Sequence, residues 1–183
     1  MKVAIDLGHQ GKRSRQTDRG AEHNGYIEAD LTLEYAIVAR KKLESLGHTT
    51  FLLAHENYSK RHAFCNDMNM DVHFQCHLNS PDGRYALIIH SSQAGDRCIA
   101  LTEIMSHQFK RWLGSIISKV DVLAIKPDDN RYMCLNPGSP SLILEPLFLK
   151  NEAHLKFLLH ENGITLVGLA IAEAIDEWSK TNG

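Results

Sequence analysis

Apolar residues along the chain fall into short blocks of two kinds, extended runs and helical stripes. Lys2 to Leu7 holds Val3, Ala4 and Ile5 together before Gly8, which predicts a short buried strand. Residues 8–25 break the pattern. Gly8, Gly11, Gly20 and Gly25 stand among Lys12, Arg13, Arg15 and Arg19 with almost no apolar residue between them, which predicts a long polar loop of the kind that often carries function. Asp30 can cap a helix to about Leu46, where Leu33, Ala36, Ile37, Leu43 and Leu46 form a stripe and Gly47 supplies the stop. Thr49 to Leu53 is β-branched and apolar, a second strand, and Tyr58 to Asn69 is helical. Met70 to His77 alternates, with Val72, Phe74 and Cys76 on one side and Asp71, His73, Gln75 and His77 on the other.

Arg84 to His90 predicts a further strand. Asp96 to about Ile117 predicts an amphipathic helix carrying Ile99, Ile104, Phe109, Trp112 and Leu113. Phe109 and Trp112 are core residues on this reading. Val120 to Ile125 is a strand, Lys126 to Pro140 a polar loop, and Ser141 to Glu145 an apolar strand ending in an acid. Two helices follow from Asn151, the second over Ile164 to Trp178, with Gly163 closing the first. Strands alternating with helices imply an α/β fold, a three-layer arrangement of a mostly parallel twisted sheet flanked by helices. Without repeat, linker or low-complexity tract, residues 1–183 are expected to form one domain with no separate second domain.

Composition narrows the function classes. A net charge of −2 over 183 residues gives no basic surplus for nucleic acid or for an anionic membrane surface. No apolar run is long enough to span a bilayer, so no membrane insertion is expected. No export signal precedes the first strand, so synthesis in the cytoplasm is expected. Cys65, Cys76, Cys98 and Cys134 form no CxxC pair, and they read as small buried residues in a reducing compartment. Eleven histidines prompt a search for metal ligands.

Sites in open α/β sheets form beyond the carboxyl ends of strands. His9 follows the first strand, Glu28 opens the first helix, His77 ends the alternating strand and Glu145 ends SLILE. Two imidazoles and a carboxylate are a common catalytic zinc set with a fourth position left for water, and a second carboxylate is then available to move the proton of that water. Position alone does not show that the four converge.

The chain resembles the zinc-dependent N-acetylmuramoyl-L-alanine amidases, a family that includes bacterial cell-wall amidases and phage endolysins. IDLGHQG (Ile5 to Gly11) is similar to the family's first motif, GYIEADLTLEYAIVARKKLESLGHTTFLL (Gly25 to Leu53) to its second, RHAFCN (Arg61 to Asn66) with MDVHFQCHLNS (Met70 to Ser80) to its third, and SPSLILEPLFLKN (Ser139 to Asn151) to its last. The resemblance implies His9, Glu28 and His77 as ligands of Zn2+, Glu145 as the catalytic carboxylate, and peptidoglycan or a muropeptide as substrate. It implies cleavage of the amide between the lactyl group of N-acetylmuramic acid and L-alanine. Gln10, Gln75, Cys76, Pro146 and Leu147 depart from the family pattern.

Other residues admit two readings. Asp6 either orients His9 or caps the turn; His73 either supports the site or is an ordinary buried histidine; His90, at a strand end, could approach the site; His23 is read as a solvated loop residue. Arg13, Arg15 and Arg19 either bind a stem-peptide carboxylate or form a solvated surface. The resulting expectation is a bacteriolytic endolysin of phage or prophage origin, made in the cytosol and released to the wall by another protein. A zinc peptidase or other amidohydrolase acting on stem peptides or small acyl-amino acids is the alternative, and a non-enzymatic wall-binding module the third.

Overall fold

The computed structural model describes residues 1–9, 19–54, 58–126, 135, 138–160 and 162–182. Val3, Ile5 and Leu7 of β1 (Lys2–Leu7) enter the main core, whereas Ala4 and Asp6 are buried on the opposite face. A strand buried on both faces belongs in the interior of a sheet, and β1 pairs in parallel with β4 (Thr49–Leu53) on one side and β5 (Val72–Cys76) on the other. Beyond β5 come β8 (Ser141–Glu145), β6 (Tyr85–Ser91) and β7 (Lys119–Ile125), giving the order β4-β1-β5-β8-β6-β7.

The first four strands in that order run one way. β6 and β7 are parallel to each other and antiparallel to β8. The connection from β5 to β6 is too short for a helical crossover, so β6 returns antiparallel, leaving a gap that β8 fills. The sheet is therefore mostly parallel, as expected, with two reversed strands. His90 does not approach the rim that carries His9 and Glu145. It pairs with Leu142, near the start of β8, so it lies at the rim opposite to Glu145.

Helices α1 (Glu28–Ser45), α3 (Asp96–Leu113) and α5 (Gly163–Asn182) pack on one face, joined by α4 (Glu152–His160), over a core that includes Tyr35, Phe74, Phe109, Leu144 and Trp178. Gly168 lets α5 approach α1 closely, since a Cβ there would meet Val38 at 2.6 Å and the Tyr35 carbonyl at 2.8 Å. α2 (Tyr58–Asp67) supplies Cys65 to a smaller cluster with Ala4, Leu53 and Met70 on the other face. Among the described residues no single helix is long and apolar enough to cross a membrane.

Several boundaries differ from the sequence reading. α1 begins at Glu28, so Asp30 lies in its first turn and does not cap it. The cap is supplied by backbone: the N–H groups of Glu28 and Ala29 donate to the carbonyls of Ala21 and Arg19 at 2.9 and 3.2 Å. Within the expected polar loop, β2 (Glu22–His23) and β3 (Tyr26–Ile27) form a hairpin. Its Asn24-Gly25 turn has φ of 49° and 80°, the positive values a type I′ turn requires. α3 stops at Leu113 before Gly114, short of Ile117. Cys65, Cys76 and Cys98 are free and buried, as expected, and Cys134 lies outside the described residues.

The α2 face holds a buried polar group. Asp6 pairs with Arg61, which also donates to the Leu7 carbonyl at 3.0 Å, and His73 Nε2 lies 3.3 Å from Asp6 Oδ2. Asp6 thus turns toward α2, not toward an orienting role at His9, and His73 is a buried partner of Asp6. The His62 ring sits 6.2 Å from that of His73. Burial, with a smaller push from His73 and against the pull of Asp6, lowers the His62 pKa to about 4. A histidine held neutral in the fold contributes stability that is present above its unfolded value of about 6.5 and lost as pH falls toward 4. The unfolding free energy is expected to drop over that window through this group. A His62→Leu variant should show a flatter pH dependence in urea titrations between pH 6.5 and 4; an unchanged slope would contradict the assignment.

Candidate metal centre

The carboxyl ends of β1, β5 and β8 meet because the three strands are adjacent and parallel. Gly8 N–H donates to the Cys76 carbonyl at 3.1 Å, and His77 N–H donates to the Leu144 carbonyl at 2.9 Å. His9 and His77 therefore follow neighbouring strand ends, and Glu145 stands at the third. Glu28 enters from the first turn of α1, with its side chain buried.

His9, Glu28 and His77 each offer one ligand atom, and these atoms all lie within 4.8 Å of one another. Glu28 Oε1 is 2.8 Å from His77 Nδ1 and 3.3 Å from His9 Nε2. The two rings meet edge to face with centroids 4.9 Å apart. Two imidazoles and a carboxylate in this arrangement suit a Zn2+ ion.

The backbone around them is cut to fit. His9 has a φ of 60°, in the left-handed region that non-glycine residues seldom occupy, and such strain concentrates at functional sites. A Cβ on Gly8 would come within 2.5 Å of the Cys76 carbonyl and of His77 Cε1. A Cβ on Gly20, whose φ is 78°, would lie 2.5 Å from Glu28 Oε2. Glu28 Oε2 accepts from Ala21 N–H at 2.8 Å and Oε1 from Leu78 N–H at 3.1 Å.

The two glutamates are driven apart electrostatically. At Glu28 burial works to raise the pKa, but the hydrogen bonds and charges of His77 and His9 outweigh it and hold the carboxyl well below the usual carboxylate range. At Glu145 burial raises the pKa, Glu28 adds to the rise, and His77 and His9 oppose it only in part. One carboxylate is thus fixed as an anion, while the other lies closer to the range in which it can take and release a proton.

The remaining residues sort clearly. Arg19 Nη1 lies 3.3 Å from Glu22 Oε1 on the surface, and Arg13, Arg15 and Gln10 lie outside the described residues. His23 pairs with Glu152 at 2.7 Å and ties the hairpin to α4, so it is more than a solvated loop residue. Pro146 and Leu147 are buried behind Glu145, and the Leu147 carbonyl accepts from Asn79 N–H at 2.9 Å. Sequence reasoning missed Gly8 and Gly20 as the floor of the site. It also missed Tyr35, which donates to the His77 carbonyl at 2.9 Å; the available signal was its spacing of seven from Glu28, two turns along one helix face.

Fold and site define an α/β protein with a candidate metal centre on the carboxyl rim of a mostly parallel sheet. Residues 3–177 match the model of the N-acetylmuramoyl-L-alanine amidase family, and the chain belongs to that family. It is similar to the CwlD amidase of Clostridioides difficile, solved in complex with the GerS lipoprotein, with 20% identity, a TM-score of 0.84, and 99% of each chain covered. The Ami1 amidase of Mycobacterium smegmatis gives 18% identity and a TM-score of 0.84 over 100% of this chain and 98% of that one. The catalytic domain of the CD27L endolysin, which targets Clostridioides difficile, gives 13% identity and a TM-score of 0.71 over 96% of each. At these identities the structures share the fold. A comparison with curated protein sequences finds no significant match.

Replacing Gly8 by alanine would push a methyl group against the Cys76 backbone and the His77 ring. The expected outcome is a loss of about 1–3 kcal/mol in unfolding free energy, read by chemical denaturation, together with loss of amidase activity. A Gly8→Ala protein with wild-type midpoint and rate would show that the close approach is not real.

Proposed function

We propose that the chain is a zinc-dependent amidase that uses His9, Glu28 and His77 to hold the ion and Glu145 to move the proton. It cleaves the amide between the lactyl group of N-acetylmuramic acid and the L-alanine of the stem peptide. The observation that carries this reading is the convergence of the three ligand atoms beside Glu145 at the ends of adjacent strands.

A zinc ion so held lowers the pKa of water toward neutrality and polarises a carbonyl. Glu28 contributes the negative charge of the ligand set and stays ionised. Glu145, raised toward the working range, takes a proton from the attacking water and delivers it to the departing amine nitrogen as the C–N bond breaks. The hydroxyl adds to the lactyl carbon, which leaves as a carboxylic acid, and the stem peptide departs with a free L-alanine amino group.

The biological setting we propose is a phage or prophage endolysin made in the cytosol and released to the wall by another protein. An endolysin catalytic domain shares this fold, as do bacterial amidases, so the setting is tested in cells. Cells producing the chain in their cytosol should stay intact until their membrane is permeabilised and then lyse. Lysis without permeabilisation would contradict this.

Mass spectrometry of digested peptidoglycan tests the bond. Free stem peptides with an L-alanine amino terminus and intact glycan chains are expected; shortened peptides still attached to muramic acid would assign a peptidase instead. Glu145→Gln should retain zinc yet lose about 10²- to 10⁴-fold in rate, and His9→Ala should lose zinc. Wall lysis by Glu145→Gln at the wild-type rate would remove Glu145 from the mechanism.

A further inference from the structure

The peptide group that joins His77 to Leu78 is held at both ends by one helix. Its carbonyl oxygen accepts from Tyr35 Oη at 2.9 Å. Its N–H donates to Glu28 Oε1 at 3.1 Å. Tyr35 and Glu28 are seven residues apart on α1, so two turns of one helix face place both groups against the same peptide. The same Glu28 oxygen is 2.8 Å from His77 Nδ1, so the backbone and the ring of His77 are fixed through a common partner.

We infer that Tyr35 is a positioning residue of the metal centre, which sets the plane of the His77–Leu78 peptide and so aims the His77 ring at Glu28 and His9. The inference rests on the zinc reading given above. A tyrosine in a helix stripe is normally a packing residue, and Tyr35 is fully buried in the main core. Packing does not need the hydroxyl, however, and burying it without a partner would be costly. Its partner here is the carbonyl of a candidate ligand. Close α5 packing at Gly168, where an added Cβ would meet the Tyr35 carbonyl at 2.8 Å, leaves α1 little freedom to shift. Groups that orient metal ligands from behind typically alter affinity 10- to 100-fold when removed.

The test compares metal-stripped wild type, Tyr35→Phe and Trp178→Phe. The last is a control, because Trp178 Nε1 likewise donates from the core to a backbone carbonyl, that of Arg97, at 3.0 Å. Zinc affinity is read by competition with a chromogenic chelator, ligand geometry by the visible spectrum of the cobalt-loaded protein, and stability by urea midpoint. Tyr35→Phe is expected to bind zinc about tenfold more weakly and to shift the cobalt bands. Trp178→Phe is expected to lower the midpoint and change neither. Wild-type zinc affinity and cobalt bands in Tyr35→Phe would overturn the positioning role, as would an equal loss of affinity in Trp178→Phe. If wild type itself bound no zinc, the metal reading would fail and this inference with it. Should Tyr35→Phe not fold, the buried Tyr35 hydroxyl proton of wild type, followed by NMR, gives the answer. Its resonance should move on zinc loading, and an unmoved resonance would overturn the proposal.

Discussion

A glutamate carboxylate buried under the first turn of a helix is costly unless donors surround it, and Glu28 is surrounded. His77, Leu78 N–H and Ala21 N–H reach it at 2.8, 3.1 and 2.8 Å, and His9 at 3.3 Å. Those groups come from the end of β5, the incoming hairpin strand and the turn after β1. Satisfying one anion therefore joins three separated parts of the chain. The same contact has a reciprocal half, since Glu28 N–H donates to the Ala21 carbonyl and caps α1. The start of the helix and the assembly of the site are one event.

The topology makes that convergence possible. β1, β5 and β8 run side by side in one direction, so their ends deliver Gly8-His9, His77 and Glu145 to one rim. The reversed β6 sends His90 to the opposite rim. On the α2 face, the Arg61–Asp6 pair and the Arg61 contact to the Leu7 carbonyl hold the last residues of β1 just before the strained backbone of His9. Removing one partner of this buried ion pair would leave an uncompensated charge, so loss of either Asp6 or Arg61 would be costly.

The fold was legible from periodicity because its strands alternate or run apolar and its helices carry stripes; β1, β4 and β8 fall where Val3–Ile5, Thr49–Leu53 and SLILE place them. The reversal of β6 was not legible from the run RYALIIH, since an apolar run carries no direction. Glu28, His77 and Glu145 stood at element ends that position alone made plausible, and the four ordered motifs singled them out. Gly8 and Gly20 escaped notice because a glycine's role depends on what its missing Cβ would strike, which only the assembled structure shows. Tyr35 read as core because packing and a hydrogen bond to His77 use the same buried face. Asn24-Gly25 was a legible turn signal, obscured by the polar residues around it.

The proposed zinc site is defined by its ligand set, His9, Glu28 and His77. X-ray absorption at the zinc edge, on protein loaded with one equivalent, tests it directly. Two imidazole nitrogens and at least one carboxylate oxygen are expected at about 2.0–2.2 Å, with water completing the shell. A sulfur scatterer at about 2.3 Å, or an unchanged spectrum in the His77→Ala protein, would contradict it.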